Sequence, residues 1–231
     1  MAQQDLEEKV CLVTGSTGGI GPAVTDHLVE AGGEVIGTYR SKGSLAEAKK
    51  RAKHSSRTSY LQADLTVPSE LQSLRAKIER EHGSVSLLVN LVGGFSPGKF
   101  KDTSLEDINS SLDRHLATTF LTMKEFLDHL QENEGVAVNF SSQRALDSQP
   151  GALSYNLGKS AVTTLSKTAH REFDDIAVYA LAPGTMDTPD NRKAMPDTGH
   201  SNWTDPGDIA KLVGFLATDP GQTIQNTVIR V

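Results

Sequence analysis

The order of segments near the start of the chain constrains its fold more than any other feature. Lys9–Thr14 is a short apolar run rich in β-branched residues, which is typical of a buried strand. The glycine-rich segment Gly15–Gly21 follows, then a helical pattern over Ala23–Ala31 and a second strand-like run over Glu34–Tyr39. These segments predict a βαβ unit with parallel strands and a right-handed crossover.

The same alternation continues to the last residue. The further predicted strands are Ser59–Gln62, Leu87–Leu91, Gly135–Phe140, Ile176–Leu181 and Thr227–Val231. The further predicted helices are Leu45–Lys53, Ser69–His82 with Ser69 as its cap, Ser104–Gln131, Ser154–Phe173 and Asp208–Ala217. Seven strands with six helices predict an α/β fold in one domain over residues 1–231: a doubly wound, mostly parallel, Rossmann-like sheet with helices on both faces. Met186–Thr204 lacks periodicity and predicts a mobile substrate loop at about 185–204.

Charge and composition exclude several classes of function. The chain has 231 residues, a net charge of -6 and no basic run, so we expect neither nucleic acid nor an anionic membrane as a partner. No apolar run is long enough to span a bilayer, and the polar start is unlike a signal or transit peptide. With Cys11 as its one cysteine and histidines without metal-ligand spacing, the sequence predicts a soluble cytoplasmic protein without an internal disulfide or a metal.

The glycine segment lies between a predicted strand and a predicted helix. A helix start offers free N–H groups and a positive dipole end, and glycine lets a ligand approach the backbone closely. The spacing G-x-x-x-G-x-G therefore predicts binding of a dinucleotide pyrophosphate, and the alternative is only a tight turn. The residues assigned to this contact are Gly15, Ser16, Thr17, Gly19, Ile20 and Gly21.

A second group of residues carries chemistry. Tyr155 and Lys159 are four residues apart, which places them on one face of a helix. An ammonium group beside a phenol lowers the pKa of the phenol, and such a hydroxyl acts in acid–base catalysis. Ser142, predicted at a strand end, would donate a hydrogen bond to a substrate oxygen. Because no G-x-S-x-G surrounds Ser142, a hydrolase nucleophile is not indicated.

Together these motifs resemble the short-chain dehydrogenase/reductase family over nearly the whole chain. Thr14–Gly21 matches T-G-x-x-x-G-I-G, and Ser142, Tyr155 and Lys159 match the S…Y-x-x-x-K set with the family's spacing. The resemblance implies a Rossmann-like fold, NAD(P) as cofactor, hydride transfer at a carbonyl or alcohol, and usually a homotetramer. Besides the glycine segment, it assigns cofactor binding to Asp64, Leu65, Asn90, Gly93, Tyr155, Lys159, Pro183, Gly184, Thr185 and Thr188.

The sequence departs from the family at two places. The family's N-N-A-G reads Asn90-Leu91-Val92-Gly93, and the asparagine of the long middle helix aligns with His115. In the family that asparagine helps hold a water that links the lysine to solvent. We expect His115 to replace it as a catalytic relay residue and to add a pH-dependent step near neutrality. The alternative is a helical histidine satisfied by a backbone carbonyl, with the relay running through water alone.

One arginine bears on the choice of cofactor. Arg40 follows the second predicted strand, where NAD-preferring relatives place an acid that binds the ribose hydroxyls. A guanidinium suits a 2′-phosphate, so we expect NADP rather than NAD, with a solvated surface arginine as the alternative. Phe95, Trp203, Met186 and Met195 are candidates to line an apolar substrate pocket, and loop packing is the alternative for the two methionines.

The function expected is NADP(H)-dependent reduction of a small-molecule carbonyl, or its reverse. Tyr155 would protonate the carbonyl oxygen, Lys159 would lower the pKa of the tyrosine and hold the nicotinamide ribose, and Ser142 would orient the oxygen. A 3-oxoacyl thioester reductase is the alternative within this class. A cofactor-binding sensor without turnover is the alternative of another class. We also expect a homotetramer or homodimer, formed through Ser104–Gln131 and Ser154–Phe173.

Overall fold

The computed structural model describes residues 6–231, and its centre is a seven-stranded sheet. The strands are β1 Val10–Thr14, β2 Glu34–Tyr39, β3 Thr58–Gln62, β4 Leu87–Asn90, β5 Val136–Phe140, β6 Ala177–Ala182 and β7 Val228–Arg230. Their order is β3-β2-β1-β4-β5-β6-β7, and each neighbouring pair is parallel. This confirms the predicted fold class. The strand order reverses between β1 and β4, where doubly wound sheets bind ligands.

Helices cover both faces of the sheet. They are α1 Gly21–Glu30, α2 Lys42–Arg51, α3 Pro68–Glu81, α4 Leu105–Leu112, α5 Thr118–Glu125, α6 Leu127–Glu132, α7 Gln143–Leu146, α8 Leu153–Glu172, α9 Pro189–Ala194, α10 Pro206–Leu216 and α11 Asp219–Gln222. Alternate side chains of each strand point to opposite faces. On β1, Val13 packs with the cluster that contains residues of α1 and α10, while Leu12 packs with residues of α3, α5 and α6. The core is therefore two layers, one on each face.

The helices predicted from Ser69 and from Ser104 differ from the structure in ways that have a physical cause. Ser69 is not a cap, because α3 begins one residue earlier at Pro68, whose fixed φ and missing N–H suit the first helical position. The long helix predicted from Ser104 is interrupted by a π-helical turn over Asp113–Ala117 and by a break at Phe126. Hydrophobic spacing does not reveal this π turn, because Leu112, Leu116 and Phe120 follow one another at four-residue steps across it, as they would in an α-helix.

The segment predicted without regular structure contains α9. Thr188 caps this helix by accepting a hydrogen bond from the Asn191 N–H group. The two ends of the segment are joined, since Asp187 N–H donates to Thr204 and Thr204 N–H donates to Thr185, at 2.9 and 2.8 Å. The segment is therefore a loop with a closed base, and its mobility stays a prediction. Across residues 6–231, no helix is long and apolar enough to cross a bilayer.

Candidate active site

The predicted site residues meet at one edge of the sheet. The carboxyl ends of parallel strands lie at the same edge. The glycine segment follows β1, Gly93 comes soon after β4, Ser142 follows β5, and Pro183 follows β6. Helix α8 carries Tyr155 and Lys159 and packs against β5 and β6. The fold thus brings together residues that are spread over most of the chain.

The glycine loop has the form of a phosphate cradle. Gly15 has φ +62, and a Cβ there would lie 2.9 Å from the Val92 nitrogen. A Cβ at Gly21 would overlap the carbonyl oxygen of Ser16. Helix α1 begins at Gly21, and its cap residue Ile20 offers no side-chain hydrogen bond to the first N–H groups. These groups are left for a ligand, so the loop fits the pyrophosphate of a dinucleotide.

The side chain of Ser16 holds the loop in place. Its buried hydroxyl donates to the Thr38 carbonyl at 2.9 Å, and the Gly15 N–H group donates to the Thr38 hydroxyl at 3.2 Å. Because the side chain of Ser16 is used in this way, only its backbone is available for the predicted contact with a cofactor. Arg51, at the end of α2, donates to the carbonyls of Thr17, Gly18 and Gly19 at 3.1, 3.1 and 3.3 Å. The sequence does not predict this contact of Arg51, because lysines and arginines are common at the end of a helix and carry no signal of a distant partner.

A buried polar chain ties the strand ends together. The Thr14 hydroxyl donates to Asn90 at 3.2 Å, the Asn90 amide donates to Asn139 at 2.9 Å, and the Asn139 amide donates to Ser166 at 3.0 Å. Buried polar groups need such partners. The side chain of Asn90 therefore holds β1, β4 and β5 together rather than presenting a free amide to a cofactor. Asn139, inside an apolar strand, carries no sequence signal of this role.

The residues predicted to bind the adenosine end lie beyond β2 and β3. The Asp64 carboxylate accepts hydrogen bonds from the hydroxyl and N–H groups of Thr66, which lower the pKa of Asp64, and the charge of Arg40 acts in the same direction. Leu65 is buried in the core, so only its backbone is available to a ligand. The exposed Arg40 guanidinium makes no hydrogen bond or ion pair among residues 6–231.

The residues after β6 lie on the other side of the glycine loop. A Cβ at Gly19 would lie 3.0 Å from the Thr188 methyl carbon, so the two segments are in contact. The Pro183 carbonyl accepts from the Gln143 N–H group at 3.1 Å, and the Gly184 N–H group donates to Val231 at 3.2 Å. Pro183 and Gly184, together with the neighbouring Thr185, thus occupy the predicted edge.

The π turn brings His115 close to Lys159. A Cβ at Gly93 would lie 3.2 Å from His115 Nδ1 and 3.3 Å from Lys159 Nζ. A Cβ at Gly158 would lie 2.9 Å from His115 Cδ2. Glycine at both positions therefore leaves room for the imidazole between the loop after β4 and helix α8. π turns are frequently found at functional sites.

The electrostatics of His115 contradict one expectation. The residue is 1% exposed, and Nδ1 has no partner of hydrogen-bonding geometry among residues 6–231. Burial, then the charges of Lys159 and Arg114, lower the pKa of His115 to about 3, against a smaller opposing effect of the Gly94 backbone. The imidazole is therefore neutral near pH 7. The predicted pH-dependent step near neutrality is wrong, because burial beside two cations disfavours the imidazolium.

The pKa values of Tyr155 and Lys159 also differ from what the sequence predicts. Lys159 is buried, its Nζ donates to the Phe140 carbonyl at 2.7 Å, and burial lowers its pKa to about 8. Burial raises the pKa of Tyr155, while hydrogen bonding with Ser142 and the charge of Arg144 oppose this rise. The expected lowering of the tyrosine pKa towards neutrality is wrong for this structure, since desolvation of the phenolate is the largest effect.

Tyr155 has an apolar neighbour. The rings of Phe95 and Tyr155 meet edge to face with centroids 5.2 Å apart, and Phe95 is 57% exposed. Phe95 therefore lies beside Tyr155, and its place in a substrate pocket stays a prediction. Met186 instead packs against the core, and the ring of Trp203 lies against that of His200, with centroids 4.3 Å apart and planes inclined by 53°. In the described range 6–231, no group of three or more His, Cys, Asp or Glu side chains is arranged to hold a metal ion.

Comparison with known proteins agrees with this geometry. The profile of the family described as short chain dehydrogenase matches residues 9–199. The chain belongs to the short-chain dehydrogenase/reductase family. It is therefore an NAD(P)-dependent oxidoreductase by family, and the glycine cradle at the start of α1 fits such a cofactor.

Individual relatives are distant but cover the whole chain. The NADPH-dependent aldehyde reductase-like protein of Arabidopsis thaliana chloroplasts is 29% identical, over 98% of this chain and 93% of its own. The 3-oxoacyl-[acyl-carrier-protein] reductase of Thermotoga maritima is 26% identical, over 98% of this chain and 97% of its own. An NADPH-bound short chain oxidoreductase of Pseudomonas aeruginosa with an atypical catalytic center has the same fold, with a TM-score of 0.89, 22% identity, and 98% and 96% of the two chains covered.

Proposed function

We propose that this protein is an NADP(H)-dependent oxidoreductase that reduces the carbonyl group of a small molecule to an alcohol, or catalyses the reverse reaction. The observation that carries the proposal is that Tyr155 and Lys159 lie one turn apart on α8, with Ser142 close to Tyr155 and Lys159 close to the loop after β4 that contacts the glycine cradle. The Arabidopsis relative, named as an NADPH-dependent aldehyde reductase-like protein, supports both the cofactor and the carbonyl substrate.

The side chains have separate roles in this reaction. A bound nicotinamide would supply the hydride that reaches the carbonyl carbon. Tyr155 donates its proton to the carbonyl oxygen, and its raised pKa keeps it protonated near neutral pH, which is the form a proton donor needs. Ser142 hydrogen-bonds the same oxygen and holds it near the phenol. The Lys159 ammonium stabilises the phenolate that remains after proton transfer.

The cofactor would be held by groups already in place. The first N–H groups of α1 would bind the pyrophosphate, and Tyr155 and Lys159 would bind the nicotinamide ribose. Arg40 would bind the 2′-phosphate, because its guanidinium is exposed and makes no ion pair among the described residues. This charge argument favours NADP over NAD.

Two other functions remain as alternatives. The Thermotoga relative supports a 3-oxoacyl thioester reductase, although the sequence shows no basic docking patch for an acidic carrier protein. A sensor that binds the cofactor without turnover would fit the replacements at Leu91 and His115. The complete set of Ser142, Tyr155 and Lys159 argues against the sensor.

A turnover assay tests the proposal. NADPH oxidation would be followed with a panel of aldehydes, ketones and a 3-oxoacyl thioester. We expect turnover with a ketone or aldehyde, and a fall of at least about a hundredfold in Tyr155→Phe, the usual scale for loss of a positioned acid. NADPH affinity should change little, because Lys159 and the first N–H groups of α1 would still hold the cofactor. Full activity of Tyr155→Phe on a verified substrate would contradict the proposal.

We further propose that the protein is cytoplasmic and that it forms a homodimer or homotetramer. Several large apolar side chains of the middle helices are exposed: Leu105, Phe120 and Leu157 are 72%, 45% and 41% exposed. They lie on α4, α5 and α8, the helices predicted to form the contact. Apolar surface of this kind marks an interface between proteins.

A further inference from the structure

A cation lies beside the catalytic tyrosine. Arg144 belongs to α7, two residues after Ser142. Its guanidinium carbon is 5.8 Å from the centre of the Phe95 ring, the same ring that meets Tyr155 edge to face. The charge of Arg144 reaches the phenol, since it acts to lower the pKa of Tyr155. Arg144 is therefore next to the position of the reacting carbonyl.

Neutral groups hold this arginine in place. One terminal nitrogen donates to the side-chain oxygen of Gln149 at 3.2 Å, and the other donates to the Pro150 carbonyl. Nε is buried and has no hydrogen-bond partner in the part of the chain that the structure describes. Among residues 6–231 no carboxylate lies within ion-pair distance of Arg144, whereas Arg230, on the neighbouring strand β7, is paired with Asp147 at 2.6 Å.

This arrangement is suited to an anion supplied from outside the chain. Each terminal nitrogen of Arg144 carries a second N–H group beyond its bond to Gln149 or Pro150, and these groups are left for a ligand acceptor. A guanidinium donates to a carboxylate through parallel N–H groups, and the contact of Arg144 with the Phe95 ring helps to hold it in place. Loop packing would explain the contacts with Gln149 and Pro150, but it leaves the free Nε–H and the unbalanced charge beside Tyr155 unexplained.

We propose that Arg144 binds a carboxylate on the substrate, so that the protein prefers oxo acids to neutral carbonyl compounds. This inference deepens the proposed carbonyl reduction and rests on it. In the reaction the carboxylate is unchanged: the carbonyl carbon takes the hydride, and the carbonyl oxygen takes the Tyr155 proton. Arg144 is a specificity-determining residue, and it acts by placing the carbonyl between Ser142 and Tyr155.

Matched acids and esters test the proposal. The probes are pyruvate, acetoacetate and levulinate, each compared with its methyl ester, in NADPH oxidation assays. Because esters differ from acids in electrophilicity, the readout is the change in the acid-to-ester ratio of kcat/KM between the parent and Arg144→Gln. We expect the ratio for the best pair to fall at least about tenfold, mainly through the KM for the acid, since a charge-assisted hydrogen bond is lost.

Two further variants serve as controls. Arg144→Lys keeps the charge without the fork and should recover part of the ratio. Arg80→Gln removes an exposed arginine, paired with Glu81 on α3, and should leave the ratio unchanged. Melting temperatures of all variants, together with ester turnover, show whether each one is folded. If Arg144→Gln does not fold, calorimetry of the NADPH-loaded parent with each acid and ester decides the question: equal affinity for acid and ester overturns the proposal.

The outcomes separate this proposal from the reductase proposal. If esters are reduced and the ratio is the same in parent and Arg144→Gln, the carboxylate role is wrong and the reductase remains. If nothing is reduced but the NADPH-loaded parent binds the acids and Arg144→Gln does not, the carboxylate role holds and the reductase fails. If the parent neither reduces nor binds any of the acids, the carboxylate role is overturned.

Discussion

The ammonium group of Lys159 donates a hydrogen bond of 2.7 Å to the carbonyl oxygen of Phe140, the last residue of β5. This bond fixes the amine of Lys159, on α8, to the strand that leads directly to Ser142. The same position is buried, and burial lowers the pKa of Lys159 to about 8. The packing that fixes the position of the Lys159 amine therefore also makes its charged form less favourable.

The pH dependence of stability should report the burial of Lys159. Its pKa is about 8 in the folded chain and near 10.4 when unfolded, so the unfolded chain holds more protons between these values and stability rises with pH there. Relative to Lys159→Met, the parent should gain about 2 kcal/mol between about pH 7 and pH 9.5. Urea denaturation of both proteins measures this difference. Parallel curves would show that Lys159 is not the buried titrating group.

His115 should destabilise the fold in acid. Its pKa is about 3 when folded and near 6.5 when unfolded, so the unfolded chain takes up a proton first as the pH falls below 6.5. The parent should lose about 2 kcal/mol at pH 5 relative to its stability at neutral pH, beyond any loss in His115→Asn. His115→Gln serves as a second control because it does not titrate either. If all three lose the same free energy of unfolding, His115 is not a buried neutral base.

The fold was predictable because its signals are local and repeated. Apolar strands, a glycine loop and helical periodicity specify a parallel sheet, and Ser142, Tyr155 and Lys159 stand at a recognisable spacing. The pKa values were not predictable, because they depend on burial that only the packed chain creates. The pKa of Tyr155 rises since desolvation outweighs the charges near it.

Contacts between distant segments were equally hidden. Arg51 reaches the glycine loop over more than thirty positions of sequence, and the π turn at His115 leaves no trace in the hydrophobic pattern. The cation beside Tyr155, Arg144, belongs to no motif. Such features arise from the path of the backbone, whereas motif spacing describes neighbours along the chain.

Alanine should have opposite effects at a glycine of the cradle and at a glycine of an exposed helix position. A Cβ at Gly21 would overlap the backbone of Ser16, so Gly21→Ala should destabilise the protein by about 3 kcal/mol or weaken NADPH binding severely. Gly43, in α2, has nothing within 4 Å of its Cβ position, so Gly43→Ala should stabilise by up to about 1 kcal/mol. Urea denaturation and cofactor titration of both variants measure these effects. Equal behaviour of the two variants would contradict the close packing at Gly21.

The proposed assembly should depend on the apolar surface of α5. Phe120 is 45% exposed there, and a carboxylate at this position would be buried in a subunit contact at a large cost. Phe120→Glu should therefore lower the oligomeric state, which sedimentation at micromolar concentration measures. Phe215→Glu, on α10, is the control outside the predicted contact and should sediment like the parent. A monomeric parent would refute the assembly.

Two arginines near the cofactor cradle should differ in what they control. Arg40 is exposed and has no partner of its own among the described residues, so it is free to bind a 2′-phosphate. Arg51 is already bonded to the loop carbonyls and should support the cradle for either cofactor. Arg40→Ala should therefore weaken NADPH binding about ten- to a hundredfold and leave NADH binding nearly unchanged, the scale of one charge-assisted contact.

Arg51→Ala should instead weaken the binding of NADPH and of NADH by the same factor. The glycine loop that Arg51 holds would contact the pyrophosphate, which both cofactors contain. Dissociation constants of both cofactors for the parent and the two variants measure this pattern. Equal affinity of the parent for NADPH and NADH would show that Arg40 does not select the phosphate. A selective loss of NADPH in Arg51→Ala would move that role from Arg40 to Arg51, since the guanidinium would then leave the loop carbonyls to bind the phosphate.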